Sequence, residues 1–233
     1  MADNCKPATE ALCGSGRKEQ ERAELHRTIW GIANDLRGSV DGWDFKQYVL
    51  GILFYRYISE NITAYINKGE RETGDTSFDY AELSDSKAES DRASLVNEKG
   101  FFVLPSELFE NVRTKAGTDE NLNETLESIF KNIEASAQGT PSEANFKGLF
   151  DDIDVNSNKL GGTVAQRNAR LVKLLNGVGE MKVAGSSRGS DYKENTIDIF
   201  GDAYEFLMGM YASNAGKSGG EYYTPQEVSE LLT

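Results

Sequence analysis

Residues 40–59, VDGWDFKQYVLGILFYRYIS, form the most apolar and aromatic stretch of the chain. A helix over this stretch carries one face made of the following side chains: Phe45, Val49, Ile52, Arg56 and Ser59. Apolar residues also lie on its other faces, and such a helix is usually buried among other helices. We therefore predict that a helix over residues 43–62 is the centre of a helical domain, rather than one wall of an aromatic cofactor pocket.

A second helix is predicted before the central one. The apolar residues from Leu25 to Leu36 fall at spacings of four and three, and Gly38 is placed to end the helix. The single histidine, His26, lies beside this apolar face, and no cysteine or second histidine stands at a spacing suited to a shared metal. We interpret it as a packed or solvated side chain. Residues 1–17 mix proline and glycine with polar residues, so we predict a mobile tail there, with the helix starting at Lys18.

Residues 68–100 are polar and mostly charged, and we interpret them as a long surface excursion with short helices near residues 80–83 and 89–97. The apolar run at 101–103 favours a brief strand or an extended plug against the core. Two later helices carry capping-box signatures, Asn121 with Glu124 and Thr163 with Gln166.

Residues 177–190 are rich in glycine and serine, which is typical of a linker. One more amphipathic helix is predicted beyond it, with this apolar face: Ile197, Phe200, Tyr204, Leu207 and Tyr211. These patterns predict a mainly α fold with at most a short β element. The expected division is a tail at 1–17, a multi-helix domain at 18–179, a linker at 180–195 and the start of a further domain at 196–233.

Composition limits the classes of function that this chain could have. Its 233 residues carry a formal net charge of -13, which argues against strong binding of nucleic acid by this chain alone. The two cysteines, Cys5 and Cys13, are too few for a disulfide framework, and no secretory signal pattern is visible. The most apolar run, residues 48–58, is too short to span a bilayer. We expect a soluble, cytoplasmic protein with no membrane partner.

Two apparent ligand-binding motifs do not meet the requirements of their classes. Residues 152–158, DIDVNSN, alternate oxygen-bearing side chains as a calcium loop does. An EF-hand needs glycine where Ser157 stands and glutamate where Thr163 stands, so we interpret the segment as an acidic turn. Residues 216–218, GKS, resemble the end of a phosphate-binding P-loop, but the first glycine of that motif would fall at Tyr211.

The terminal stretch, residues 216–233, reads GKSGGEYYTPQEVSELLT. Thr224 is placed to cap a helix, Pro225 suits the first helical position, and Glu227 completes a capping box. A helix N-terminus at the end of a glycine-rich loop favours a carboxylate or phosphate, and Tyr222 and Tyr223 would stand beside it as apolar walls. An ordinary capped helix is the alternative interpretation.

This stretch resembles the start of the catalytic domain in the methylation subunit of type I restriction-modification systems. Further segments that carry the resemblance are GDAYEFL at 201–207, LRG at 36–38, FDDID at 150–154, LG at 160–161 and RN at 167–168. The resemblance covers most of the chain from about Glu24 onward. It implies methylation of adenine N6 in DNA with S-adenosylmethionine, an α/β methyltransferase domain starting at 196, and a site for the methionine end of the cofactor near these residues: Glu221, Tyr222, Tyr223, Thr224 and Pro225.

The same resemblance implies partners and a place for this chain within a larger protein. The partners are a specificity subunit, a second methylation subunit, a restriction subunit and, through the complete complex, DNA. The helical domain would then serve subunit assembly and DNA enclosure.

The family's Asp-Pro-x-x-Gly-x-Gly cofactor loop and its catalytic Asn-Pro-Pro-(Phe/Tyr) segment occur nowhere in the 233 residues. We therefore expect an amino-terminal piece of a longer methyltransferase, inactive by itself. A stand-alone acidic helical interaction module and a small phosphate- or nucleotide-binding protein remain open as alternatives.

Overall fold

The computed structural model describes residues 7–35, 42–181 and 199–215. Nine α-helices lie in these ranges: α1 Pro7–Asp35, α2 Gly42–Thr73, α3 Asp85–Ser90, α4 Arg92–Lys99, α5 Phe109–Lys115, α6 Leu122–Ser136, α7 Glu143–Phe146, α8 Val164–Glu180 and α9 Ile199–Ala215. Two 3-10 helices, Tyr80–Glu82 and Pro105–Glu107, connect some of them. No strand occurs in the described ranges, so the prediction of a mainly α fold is confirmed. None of the helices in these ranges has both the length and the apolar character needed to cross a membrane.

Helix α2 is the centre of the fold, as its sequence predicts. Every residue of the predicted face is buried: Phe45, Val49, Ile52, Arg56 and Ser59. The helix packs against α5, α8 and α9. Each large apolar side chain fully buried there stabilises the fold by roughly 1.5 to 3 kcal/mol. α2 continues beyond residue 62 to Thr73, and the added turns include the i,i+4 ion pair of Lys68 and Glu72.

Helix α1 begins earlier than its apolar pattern indicates. It starts at Pro7 rather than Lys18, so the predicted start of this helix is wrong and residues 7–17 are helical. Proline suits the first position of a helix, and most of the following residues have high helix propensity. Gly14 and Gly16 each cost about 1 kcal/mol relative to alanine, which is too little to end the helix. The predicted stop at Gly38 lies outside the described residues.

Of the two structures predicted for residues 101–103, a brief strand or an extended segment packed against the core, the second is observed. All three side chains are buried, and the Phe101 ring lies 4.9 Å from that of Phe146. The Phe102 N–H donates to Ser136 Oγ at 2.9 Å, and the Val103 carbonyl accepts from the Tyr80 hydroxyl at 2.8 Å. The polar excursion of residues 68–100 therefore contains the predicted short helices, but it is anchored in the core through the buried Tyr80.

The predicted cap of α8 forms as expected. Thr163 Oγ1 accepts a hydrogen bond from the backbone N–H of Gln166 at 3.3 Å. The Gln166 side chain turns back and accepts from the N–H of Gly162 at 3.0 Å. One unpaired N–H of the first turn of α8, that of Gln166, and the N–H of Gly162 just before the cap are satisfied in this way.

The predicted cap of α6 is wrong. Asn121 makes no side-chain capping bond. Instead Asn168, from α8, accepts a hydrogen bond from the N–H of Asn123 at 3.1 Å and donates to the carbonyl of Glu120 at 2.6 Å. A buried side chain from another helix has replaced the local cap, and it fixes the start of α6 against α8.

Candidate functional site

The predicted cofactor-site residues, Glu221, Tyr222, Tyr223, Thr224 and Pro225, lie outside the described residues. The described helix nearest to them in sequence is α9, which ends at Ala215. The structure shows how α9 is held against α1 and α2, and we call this contact the α9 junction. Its residues are Arg22 and His26 of α1, Lys46 of α2, and Asp202, Ala203, Tyr204, Phe206, Leu207 and Met208 of α9.

One face of α9 is fully buried at the junction. Ala203 and Leu207, four positions apart and therefore on the same face, have no exposed surface. Tyr204, which the sequence predicts on the apolar face, is 45% exposed instead. The small side chain at position 203 allows α9 to approach α1 and α2 closely, and this brings the polar residues beside it within bonding distance.

An ion pair joins α9 to α1 across 180 positions of sequence. Arg22 Nε lies 2.7 Å from Asp202 Oδ1. Asp202 is only 7% exposed, whereas the Arg22 side chain is 40% exposed. Asp202 Oδ2 is buried without a hydrogen-bond partner among the described residues. A buried carboxylate is costly unless it is paired, so Arg22 provides compensation that Asp202 needs in this position.

A ring stack lies one helical turn further along both helices. The rings of His26 and Phe206 are 4.1 Å apart and inclined by 10°. Burial lowers the pKa of His26 and outweighs the opposing effect of Asp202, while Arg22 lowers it further. The neutral imidazole is therefore favoured, and the interpretation of His26 as a packed side chain is confirmed.

Lys46 connects α2 to the same helix. Its side chain is buried, its Nζ lies 3.5 Å from Met208 Sδ, and it stands 5.6 Å from the centre of the Tyr204 ring. A cation over an aromatic face contributes about 0.5 to 2 kcal/mol, depending on its exposure. The exposed position of Tyr204 thus has a physical reason, since its ring covers the ammonium group from outside.

Arg56, on α2, binds the carboxyl-terminal end of α8. This arginine is 3% exposed, and its Nη1 donates to the carbonyls of Val178 at 2.6 Å and Met181 at 2.8 Å. The last carbonyls of a helix have no partner within it, and a cation there also interacts favourably with the helix dipole. The guanidinium of Arg56 therefore caps α8 from α2.

Glu60 completes the cap. Its Oε1 accepts from Arg56 Nε at 2.7 Å. Burial raises the pKa of Glu60, and the neighbouring Arg56 lowers it in part. The apolar pattern of α2 predicts Arg56 on its buried face, but the pattern indicates no partner, because the carbonyls that Arg56 binds lie 122 and 125 positions away.

Three of the upstream segments that carry the family resemblance, at 150–154, 160–161 and 167–168, lie in the described part of the chain and have structural roles. Arg167 Nη1 donates to the carbonyl of Gly161 at 3.1 Å, and a Cβ at Gly161 would lie 2.6 Å from the Cβ of Gln166. The acidic turn is bonded to α2, since the Tyr48 hydroxyl donates to the carbonyl of Asp154 at 2.7 Å. Among the described residues, no group of three or more His, Cys, Asp or Glu side chains is placed to hold a metal ion.

The fold and the α9 junction define a class of protein: a multi-helix domain on which a later helix of the same chain, α9, is docked. The family model described as the HsdM N-terminal domain matches residues 25–178, and the model described as N-6 DNA Methylase matches residues 195–233. The chain belongs to the HsdM N-terminal domain family. Helix α9 is thus part of the segment that resembles the methylase domain.

Two curated proteins similar to this chain are methylase subunits of type I restriction enzymes. The chain is 44% identical over 223 residues to the type I restriction enzyme MpnII methylase subunit of Mycoplasma pneumoniae, a match covering 93% of this chain and 40% of that protein. It is 22% identical over 214 residues to the type I restriction enzyme MjaIX methylase subunit of Methanocaldococcus jannaschii, covering 90% and 34%. The chain therefore spans between 34% and 40% of the length of these curated relatives.

A solved structure has the same fold over most of the chain. It is the methyltransferase subunit of a type I restriction-modification system from Streptococcus thermophilus, with a TM-score of 0.66 and 27% sequence identity. The match covers 90% of this chain and 43% of that one.

Proposed function

We propose that this chain is the amino-terminal part of the methylation subunit of a type I restriction-modification enzyme. The complete subunit, bound to a specificity subunit, methylates adenine N6 in DNA with S-adenosylmethionine. The observation that carries this proposal is the order of two family matches along one chain, at residues 25–178 and 195–233. The 44% identity to a methylase subunit over nearly the whole chain supports it.

The helical domain serves assembly and DNA enclosure within this proposal. Its partners are the specificity subunit, a second methylation subunit and, in the full complex, the restriction subunit. The net charge of -13 supports protein contacts over direct contacts to DNA phosphates, which require lysine and arginine. The protein acts in the cytoplasm, where DNA and S-adenosylmethionine are both present.

One edge of the cofactor site belongs to this chain in the proposal. Glu221, Tyr222, Tyr223, Thr224 and Pro225 lie near the methionine end of S-adenosylmethionine, whose carboxylate suits the free N–H groups of a helix N-terminus. The match of residues 195–233 to the N-6 DNA Methylase model supports this assignment. The rest of the cofactor would be held by the Asp-Pro-x-x-Gly-x-Gly loop, which follows this segment in the family.

The reading frame of the gene tests the proposal against its alternatives. We expect the frame to continue beyond codon 233, with an Asp-Pro-x-x-Gly-x-Gly loop soon afterwards and an Asn-Pro-Pro-(Phe/Tyr) segment further on. A stop at that codon would contradict the proposal and favour a stand-alone acidic interaction module. Binding of a nucleotide by the 233-residue chain alone would favour the third possibility, a small nucleotide-binding protein.

Replacing Thr224 with valine tests the cofactor site in the complete subunit. Valine keeps the shape but removes both the helix cap and a hydrogen bond to the methionine moiety. Loss of a cap costs about 1 kcal/mol of local stability. We expect the affinity for S-adenosylmethionine, measured by calorimetry, to fall by about tenfold or more, since the direct contact is lost as well.

The matched control is Thr163→Val. Thr163 caps α8 by accepting from the N–H of Gln166, so this variant also loses a cap, but at a helix far from the terminal segment in sequence. It should lose similar stability and keep the parent's cofactor affinity. Unchanged affinity in Thr224→Val would mean that the terminal motif is only an ordinary helix cap.

A further inference from the structure

A groove lies between α6 and residues 150–156, and we call it the α6 groove. Its volume is about 270 Å³, and it is lined by Glu127, Phe130, Lys131, Glu134, Phe150, Asp151, Ile153, Asp154, Val155 and Asn156. Pockets that hold small molecules usually enclose about 300 to 1,000 Å³. The α6 groove is smaller and partly open to solvent, so it suits a side chain from another protein better than a cofactor.

The floor of the α6 groove is apolar. Phe130 and Phe150 are buried, with ring centres 4.3 Å apart and ring planes inclined by 11°. Ile153 and Val155 are buried beside them. Such a floor favours a side chain with an apolar stem, and the methylene chains of lysine and arginine are of this kind.

The rim of the α6 groove is acidic. It carries four carboxylates, those of Glu127, Glu134, Asp151 and Asp154, and one ammonium group, that of Lys131, so its net charge is -3 when all five are ionised. Lys131 pairs with Glu127. No lysine or arginine in the described part of the chain forms an ion pair with any of the other three carboxylates. The rim therefore has negative charge that this chain does not compensate.

The groove is a pre-formed structure. Glu134 of α6 accepts a hydrogen bond from the backbone N–H of Phe150 at 3.1 Å. On the other side, Ile153 packs against Gly51 of α2, where a Cβ would lie 1.7 Å from Ile153 Cδ1. Residues 150–156 are thus bonded to α6 and closely packed on α2. A partner that binds a pre-formed groove avoids the cost of ordering it.

The charge of the rim selects the partner. Nucleic acid is disfavoured, because its phosphates would face the carboxylates. A protein segment with a lysine or arginine is complementary, since its methylene stem covers the apolar floor while its charged head bonds to the rim. The net charge of -13 implies that the cations that contact DNA in the complete enzyme belong largely to other parts of it. The subunit that gives the enzyme its sequence specificity must contact DNA, so it is the partner expected to carry them.

We propose that the α6 groove is a docking site for a basic segment of the specificity subunit. A lysine or arginine of that segment enters the groove, with its stem on the apolar floor and its charged head at Asp151 and Asp154. The groove is one anchoring point within a larger interface. This inference rests on the function proposed above, because that proposal supplies the partner.

Neutralising two rim carboxylates tests the proposal in the complete subunit. The variant is Asp151→Asn with Asp154→Asn. Asparagine at position 154 keeps an oxygen that can accept from the N–H of Asn156, as Asp154 Oδ1 does at 3.0 Å, so the turn is retained. We expect the Kd for the specificity subunit, measured by calorimetry at low salt, to rise about tenfold, since two charge pairs are lost.

The single variant Asp151→Asn leaves the turn intact. Asp151 is exposed, and its carboxylate makes no hydrogen bond or ion pair with the other described residues. This variant should raise the Kd about threefold. Added salt should weaken the parent complex more steeply than that of the double variant, because salt screens charge pairs. An equal salt dependence in parent and double variant would contradict the proposal.

Asp75→Asn with Asp91→Asn is the matched control. Both residues are exposed and lie outside the groove, and Asp75 Oδ1 accepts from the N–H of Ser77 at 3.0 Å, in a turn like that of Asp154. This variant makes the same change of net charge and should keep the Kd within about twofold of the parent. A tenfold rise here would show that net charge, rather than the groove, is responsible, and would overturn the proposal.

The same measurements separate this proposal from the proposed function. If the parent binds the specificity subunit and the double variant binds it as tightly, the α6 groove is not the docking site, and the proposed function stands. The proposal is also wrong if the double variant keeps the specificity subunit but loses a second methylation subunit or the restriction subunit. A complete parent subunit that does not bind the specificity subunit would refute the proposed function and this inference together.

Discussion

Replacing Leu53 with aspartate is expected to unfold the helical domain. Leu53 lies in the middle of α2 and is 1% exposed. An unpaired charge buried at such a site costs several kcal/mol, against a total stability of about 5 to 15 kcal/mol for a typical domain. Circular dichroism at 25 °C should show the loss of most helical signal and of a cooperative thermal transition.

Tyr57→Asp is the control for this result. Tyr57 lies four positions further along the same helix, but it is 42% exposed, so aspartate there remains in contact with water. This variant should keep a cooperative transition close to that of the parent. If Leu53→Asp melted like the parent, α2 would not be the centre of the fold.

Replacing Arg56 with methionine is expected to lower the free energy of unfolding by about 3 to 5 kcal/mol. Methionine fills a similar volume but donates no hydrogen bond. The carbonyls of Val178 and Met181 and the partly buried carboxylate of Glu60 would each lose the guanidinium that they bind. Urea unfolding followed by circular dichroism measures the change.

Two further variants show whether the loss comes from the cap of α8. Arg71→Met, at an exposed position near the end of α2, should change the stability by no more than about 0.5 kcal/mol. Glu60→Gln should cost less in the Arg56→Met background than in the parent, because the carboxylate has no cation left to pair with. A loss below about 1 kcal/mol for Arg56→Met would contradict the role of Arg56 as the cap.

The central helix of the fold could be predicted from the sequence, because the apolar pattern that indicates it lies within one continuous stretch. The apolar run at residues 40–59 predicts a buried helix by its composition alone, and α2 is that helix. The Thr163 cap is also local, since the donor is three residues away. The start of α1 and the end of α2 could not be predicted in this way, because the outer turns there are largely polar and have no apolar period.

The long-range polar contacts could not be predicted from the sequence. Arg56 binds carbonyls more than 120 positions away, and Arg22 pairs with a residue 180 positions away. The local sequence predicts Asn121 as the cap of α6, but Asn168 from α8 accepts the hydrogen bond from the N–H of Asn123. The spacing of residues along the chain cannot identify the partners of these hydrogen bonds, because the partners depend on which helices pack together in the fold.

The proposed cofactor residues remain a prediction from sequence. Glu221 to Pro225 lie outside the described residues, and their assignment depends on the family resemblance and on the match of residues 195–233. The structure adds the helix that leads to them. It shows α9 docked on the amino-terminal domain and not separate from it.

The chemistry of the proposed reaction predicts no activity for this chain alone. Methylation at adenine N6 needs the sulfonium of the cofactor held in line with the amine and a base extruded into a pocket that binds its edge. In the family, the Asp-Pro-x-x-Gly-x-Gly loop and the Asn-Pro-Pro-(Phe/Tyr) segment supply these functions, and neither occurs in the 233 residues. The net charge of -13 also disfavours the encounter with DNA.

The measurement that tests the proposed function most directly is the transfer of a radiolabelled methyl group from S-adenosylmethionine to adenine in DNA. It compares the purified 233-residue chain with the complete subunit bound to its specificity partner. We expect transfer by the complete complex and none by the chain alone. Stoichiometric methylation of adenine by the chain alone, or no methylation by the complete complex, would contradict the account.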